Sequence, residues 1–430
     1  MEMTRQARHF ARGHIASVVG LPMGWIPADD GLEERVFAEL SRAPELKSDA
    51  RDQWGNWDFS FGDSNRRGEL YVPWLDRPLV ELRAKLLAEH PEWRPEPAWP
   101  EGRPFAVCLS HDVDFVTQNP TLARSVRTAW RDGTAMLANL RDRSAMGAAS
   151  RSLLVSSFQI ATLRGLRPRR ERTYDEWLKA EDRHGFRSTF FYFPERVSHR
   201  HVYDCHYGYD DPVRFDGRGM RVREMLAAMR DGGWEIGLHG SYHSALEPGL
   251  LAEQRRQIEE ISHSPVVSTR QHWLHYDVRV TPGLQHAAGL LADSTQGFNR
   301  NVGFRAGTAF PYTCWDHGSG QPLPLLEVPQ HVMDGGLFTA NALAYNRDLA
   351  VSHCVQLMEE VEAVGGCLTL SWHPNVIENA MYWSVYQDVL AEAARRRAWG
   401  CSVKQLHEWW TSRSLRLASS PANVPSGAPA

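Results

Sequence analysis

Residues 105–114 read FAVCLSHDVD, a short apolar run that ends in a histidine and two aspartates. From this point onward, short apolar runs alternate with longer helical patterns, which predicts βαβ units around a parallel sheet. A closed barrel and an open doubly wound sheet both fit this alternation. The predicted strands are residues 105–110, 188–193, 234–238, 266–269, 290–294, 324–329 and 367–372, and the predicted helices between them include 174–184, 222–230, 250–261 and 349–364.

The regions on either side of this α/β pattern differ from it in composition. Residues 1–104 are rich in Trp, Pro and Asp, and we interpret them as a cap or small domain that ends in a proline-rich linker. Residues 105–413 form the predicted catalytic domain, in which the arginine-rich stretch 116–173 is a helical insertion. Residues 414–430 are rich in Ser, Pro and Ala, which predicts a disordered tail.

Composition excludes two classes of partner. The 430 residues are 42% hydrophobic and 23% charged, and the formal net charge of -4 provides no basic field for nucleic acid or an anionic membrane. No apolar run approaches the roughly 18 residues of a membrane span, and we find no export signal. The six cysteines contain no C-x-x-C pair, and several lie in apolar runs, which is typical of reduced thiols in a cytoplasmic protein.

Charged and imidazole side chains follow several of the predicted strands directly. Because the carboxyl ends of parallel strands meet on one face of the fold, these side chains are expected to converge in one cleft. They are His111, Asp112 and Asp114 after the first strand, His239 and His243 after the third, Arg270 and His272 after the fourth, Asp293 within the fifth, and His373 after the seventh.

The residue types suit metal-assisted hydrolysis. His239 and His243 are four residues apart, so a helical turn would place both rings on one face, as two zinc ligands require. Asp112 and Asp114 would share one side of an extended chain, where they could flank a cation or merely cap the next segment. A carboxylate and two imidazoles leave an open zinc position for water, a second carboxylate can accept its proton, and a further histidine can protonate a leaving group. The predicted reaction is hydrolysis of an amide or ester.

The ordered series HDVD, HGSYH, RQHW, DST and LTLSWHP resembles the five motifs of the polysaccharide deacetylase superfamily, the NodB-homology domain of carbohydrate esterase family four. The resemblance covers residues 105–410, and GFRSTFFYF at 185–193 falls where that family has its second strand. It implies a distorted (β/α)7 barrel, a bound zinc or other divalent transition metal, and removal of acetyl groups from N-acetylated sugars.

The same resemblance implies a role for each matching residue. The implied metal ligands are Asp114, His239 and His243, and the implied catalytic residues are Asp112, Arg270, Asp293 and His373. In this scheme Asp112 is the base and Arg270 orients it, while His373 is the acid and Asp293 tunes its pKa.

The sequence departs from the family pattern in three motifs. Val113 separates two aspartates that are usually adjacent, which resembles a divergent branch that includes peptidoglycan deacetylases and cyclic-amide hydrolases. His272 stands where the third motif usually has proline, and Phe298 is the nearest aromatic residue to the usual tryptophan of the fourth. The candidate substrate-binding residues are Trp273, Leu370 and Trp372, as an apolar pocket for the acetyl methyl group, and Arg305, which could hold a sugar hydroxyl or carboxylate or form a structural salt bridge.

Two other functions remain open at this point. A cyclic-amide hydrolase of allantoinase type would need the same metal centre in a closed pocket, whereas a polysaccharide deacetylase needs an open groove. A catalytically inactive carbohydrate-binding scaffold would not need the full set of catalytic groups.

Overall fold

The computed structural model describes residues 3–59, 69–116 and 174–419. The predicted helical insertion at 116–173 therefore lies outside the described residues except for Val116, and so does the predicted tail beyond Ser419. None of the described helices has the length and apolarity that a membrane span needs.

Within the described residues, ten strands form one sheet in the order β10-β11-β1-β2-β5-β6-β7-β9-β8, with β12 beside the first half of β1. All neighbours in this sheet are parallel except β8 and β9, and β3 and β4 form a separate hairpin. The strands are β1 Ala106–Val113, β2 Thr189–Tyr192, β3 Pro212–Phe215, β4 Arg218–Arg221, β5 Glu235–Gly240, β6 Ser268–Gln271, β7 Ala292–Asp293, β8 Tyr312–Asp316, β9 Gln321–Glu327, β10 Val332–Met333, β11 Cys367–Ser371 and β12 Trp399–Cys401.

The parallel strands curl into an incompletely closed barrel. Strands β9 and β10 lie at opposite ends of the parallel set, yet residues 328–331 are all that separates them in the chain. Within that link the Gln330 N–H donates to Gln296 O and the His331 N–H donates to Thr369 O, so it contacts both sides of the gap. The predicted α/β class and distorted (β/α) barrel are confirmed, and β10 is an additional strand that the sequence pattern did not predict.

The strands that form the centre of the barrel are buried along their whole length. Every residue of β1, β2, β5, β6 and β11 is buried, as expected for parallel strands covered by helices.

The described helices are α1 Arg5–Val19, α2 Asp30–Leu40, α3 Asp76–Glu89, α4 Tyr174–Asp182, α5 Val222–Asp231, α6 Leu250–Ser262, α7 Thr281–Ala287, α8 Asp334–Phe338, α9 Arg347–Val364, α10 Ala380–Arg395 and α11 Val403–Ser419. The predicted helices match α4, α5, α6 and α9 closely.

The N-terminal segment packs on the barrel and shares its hydrophobic core. Thr4 caps the start of helix α1, where its hydroxyl accepts the Ala7 N–H, and Gly20, with φ 78°, follows the last residue of the helix. The buried guanidinium of Arg413, in α11, donates to the carbonyl oxygens of Ser17, Glu96 and Pro97. Helix α11 continues to Ser419, past the predicted start of the tail at residue 414, because Arg413 and Leu417 pack into this contact.

Replacing Trp99 with alanine should lower the free energy of unfolding by about 3–5 kcal/mol, the usual cost of truncating a buried aromatic side chain. Trp99 is fully buried, its indole N–H donates to Gly365 O at 2.8 Å, and its ring stacks on Trp410 at 5.5 Å between centroids. Leu415→Ala, on an α11 residue that is 66% exposed, is the matched control and should change stability by less than about 0.5 kcal/mol. Urea unfolding followed by circular dichroism measures both, and equal losses would contradict this packing role.

Candidate active site

A cavity of about 710 Å³ opens at the carboxyl ends of the barrel strands. Its position is that of ligand sites in parallel α/β folds, where the strand ends converge. Its lining includes Asp112, Asp114, His239, His272, Asp334 and His373, together with the aromatic residues Trp54, Tyr203, Trp273 and Tyr382.

Asp114, His239 and His272 form a compact group of candidate metal ligands. Asp114 follows β1, His239 is in β5 and His272 follows β6. The Asp114 Oδ1 atom is 3.5 Å from His239 Nε2 and 3.6 Å from His272 Nε2. Ligand bonds of about 2.0–2.1 Å to tetrahedral zinc place neighbouring donor atoms about 3.4 Å apart, so these spacings fit such an ion.

The two imidazoles of this group are oriented from behind. His239 Nδ1 lies 2.9 Å from Arg270 O, and His272 Nδ1 lies 3.8 Å from Asp204 Oδ1. A hydrogen bond such as that of His239 fixes the ring orientation of a metal-binding histidine. Burial raises the pKa of Asp114, but its hydrogen bond to His239 and the neighbouring imidazoles outweigh burial and hold the pKa below its usual value. The group therefore presents a carboxylate with two imidazoles.

The Asp112 side chain is more deeply buried than that of Asp114 and is paired with Arg270. The Arg270 Nη1 atom donates to Asp112 Oδ1 at 2.9 Å, and both side chains are buried. Burial alone would raise the pKa of Asp112, but the Arg270 charge outweighs it and holds the pKa below its usual value. Asp112 is therefore an ionised carboxylate at the inner side of the cavity.

His373 faces the same space from β11. Its Nε2 atom is 3.7 Å from Asp114 Oδ2, and its Nδ1 atom is 2.6 Å from Asp334 Oδ1. Burial lowers the pKa of His373, but the charge and hydrogen bond of Asp334 outweigh burial and raise it to about 10. The imidazole is therefore cationic at neutral pH.

His243 does not join Asp114 and His239, contrary to the expected triad. Ser241 is extended (φ -62°, ψ 159°), and a new 3-10 turn, Tyr242–Ala245, begins after it. The Tyr242 N–H donates to Asp204 Oδ1, which fixes the direction of that turn. His243 consequently faces away from the cavity, and His272 completes the candidate group instead.

Asp293 does not reach His373, contrary to its expected role. It lies opposite Glu327 in the β7–β9 register, and its Oδ1 accepts the Thr295 hydroxyl at 2.5 Å. Burial raises the pKa of Asp293 to about 6, and burial with the nearby Asp293 charge raises the pKa of Glu327. Asp334 is the carboxylate that contacts His373.

The four candidate substrate-binding residues have different surroundings. Trp273 lines the cavity and is 37% exposed. Leu370 and Trp372 are fully buried behind the cavity, where the Trp372 ring packs against Phe338. Arg305 forms a buried ion pair with Glu45 at 3.0 Å, so the structural alternative describes its position.

Two residues of the site were missed from the sequence. His272 was visible as a departure from the third motif and as a histidine directly after a strand. Asp334 also follows a strand, but β10 is two residues long and gives no apolar run that a pattern search would detect. If β10 had been predicted, Asp334 would have been found as well, because it is a charged residue that directly follows that strand.

No family model matches the chain, and no curated protein matches its sequence. Two crystal structures share its general architecture. One is a Mycobacterium smegmatis protein named as a polysaccharide deacetylase, with 19% identity and a TM-score of 0.46 over 73% of this chain and 93% of that chain. The other is a Pseudomonas aeruginosa PAO1 protein of the same name, with 14% identity and a TM-score of 0.41 over 74% of this chain and 95% of that one.

Asp334→Asn should lower the pKa of His373 by more than about one pH unit, since the charge that stabilises the imidazolium is removed. Asp293→Asn, the matched control, should leave that pKa unchanged because Asp293 pairs with Glu327. NMR titration of the His373 ring in the metal-free protein measures both. An equal decrease in the two variants would contradict the assignment of Asp334 as the partner of His373.

Proposed function

We propose that this protein is a metal-dependent hydrolase that removes acetyl groups from an N-acetylated sugar or polysaccharide precursor. The observation that carries the proposal is that Asp114, His239 and His272 line one cavity together with an ionised carboxylate, Asp112, and a cationic imidazole, His373. A ligand group flanked by one base and one acid suits hydrolysis of an amide.

Asp114, His239 and His272 would hold the metal ion. Two imidazoles and one carboxylate are a usual zinc donor set, and the spacings of their donor atoms fit a tetrahedral ion with one open position. When bound, the ion would lower the pKa of a water molecule and polarise the acetyl carbonyl. The two proton transfers of the reaction would be made by side chains of the protein.

Asp112 would accept a proton from the attacking water. Arg270 supports this role in two ways, because its charge keeps Asp112 ionised and its hydrogen bond to Oδ1 holds the carboxylate in place. The Ser371 hydroxyl lies 3.4 Å from Oδ2. Asp112 is thus a fixed base rather than a mobile one.

His373 would donate a proton to the departing sugar nitrogen. An amine leaves poorly as an anion, so protonation of the nitrogen is required for cleavage of an amide. Asp334 holds Nδ1, which leaves Nε2, the atom on the Asp114 side, as the donor. The two functions of base and acid are therefore assigned to groups whose surroundings push their pKa values apart.

The walls of the cavity suit a carbohydrate. Trp54 and Trp273 stack on each other with centroids 5.5 Å apart, and Tyr203 lies against Trp273. Aromatic faces with nearby side-chain amides, here Asn299 and Asn341, offer both apolar contact and hydrogen bonds to a sugar.

We place this activity in the cytoplasm, because all six cysteines are buried and free of disulfides.

The zinc-loaded protein should release acetate from at least one member of a panel of N-acetylated sugars, nucleotide sugars and oligosaccharides, and chelation should abolish the release. His272→Ala should lose activity together with the zinc ion held by Asp114 and His239, because it removes a ligand of that ion. Asp112→Asn should retain zinc and lose activity because it removes the base alone. Acetate release that survives chelation, or ring opening of a cyclic amide such as allantoin in place of acetate release, would overturn the proposal.

His373→Ala should retain metal but lose about 10²- to 10⁴-fold in turnover on an amide substrate, the range for a positioned general acid. An activated aryl acetate should be affected less, because its leaving group needs little protonation. Steady-state turnover of the same variant on the two substrates measures this difference. An equal loss on both would mean that His373 does not act as the acid.

A further inference from the structure

A second group of metal-ligating side chains lies outside the cavity, on the loops that follow β2 and β5. It consists of His199, His243 and Glu247. The Glu247 Oε1 atom is 3.1 Å from His199 Nδ1 and 3.5 Å from His243 Nδ1. The two imidazole rings stack at 4.0 Å between centroids with an angle of 7°, and the Nδ1 atom of each lies near the same carboxylate oxygen.

We propose that His199, His243 and Glu247 bind a second divalent cation of the zinc class, separate from the site formed by Asp114, His239 and His272. Donor atoms around a tetrahedral ion with bonds of about 2.0–2.1 Å are about 3.4 Å apart, and the two spacings to Glu247 Oε1 bracket that value. Two imidazoles with one carboxylate favour zinc, cobalt or nickel over magnesium or calcium, which prefer oxygen ligands.

The side chains differ in exposure in a way that suits an ion at the surface. His243 is 22% exposed and His199 60%, so the group is anchored at one side and open to solvent at the other. His243 Nε2 is buried and makes no hydrogen bond within the described part of the chain. The contact of this side chain with Glu247 is made through the other ring nitrogen, Nδ1. The open side leaves room for water to complete the coordination of the ion.

An ion at this position would join two segments that also shape the cavity. His199 belongs to the loop after β2, which carries Tyr203 and Asp204. His243 belongs to the 3-10 turn after β5, and the Tyr242 N–H of that turn donates to Asp204 Oδ1. Asp204 lies 3.8 Å from His272. The second site would therefore join the loop after β2, which carries Tyr203 and Asp204, to the 3-10 turn after β5.

Zinc titration of the metal-free full-length chain by isothermal calorimetry tests the proposal. The wild type should bind two ions, whereas His199→Ala and Glu247→Gln should each weaken the second by at least about 10-fold. His286→Ala, a substitution at an exposed histidine of α7, is the matched control and should bind two. Cobalt in place of zinc gives an independent readout, because each tetrahedral site contributes visible absorption bands.

The Asp114→Asn background separates this proposal from the proposed function. In that background the first site is weakened, and one ion should remain whose binding is lost on adding His199→Ala. If Asp114→Asn and the double variant bind the same number of ions with equal affinity, the second site does not exist. A wild type that binds the second ion but releases no acetate would overturn the proposed function and leave the second site supported.

Discussion

The buried guanidinium of Arg270 is the interaction on which the rest of the site depends. From β6 it donates to Ser110 and Asp112 of β1, to Ser371 of β11, and to the backbone and hydroxyl oxygens of Ser294 after β7. Burying a charge costs several kcal/mol unless an opposite charge and a full set of hydrogen bonds offset the loss of water, and here β1, β11 and Ser294 after β7 supply them. The position of Asp112 is thus a consequence of how the barrel closes around Arg270.

The backbone of the same residue links the base to the candidate metal ligands. The Arg270 carbonyl oxygen lies 2.9 Å from His239 Nδ1, and His272 follows Arg270 by two residues, directly after the same strand. Because alternate residues of a strand point to the same side, Arg270 and His272 both face the interior of the barrel. A shift of β6 against β5 would therefore disturb Asp112, His239 and His272 together.

The sequence was informative wherever the fold is locally determined. Fully buried parallel strands produce contiguous apolar runs, so all the strands that carry predicted site residues were found. The predictions were wrong at positions whose conformation is set by tertiary contacts. The spacing of His239 and His243 favours one shared face if a helical turn continues, but the bond from Tyr242 to Asp204 redirects the turn. Asp334 follows a strand of two residues, Val332–Met333, which no periodicity could detect.

The N-terminal segment contributes to the cavity through the backbone of the loop after β6. Trp273 and Leu274 have φ values of 59° and 52°, a left-handed conformation that costs about 1–3 kcal/mol per non-glycine residue and persists only when neighbours hold it. Asn56 supplies part of that hold, since its side-chain amide donates to Trp273 O at 3.0 Å while its oxygen accepts the Tyr276 N–H at 3.1 Å. Trp54 then stacks on the Trp273 ring. The cavity wall opposite His373 is therefore built jointly by the N-terminal segment and the barrel, and its shape requires both.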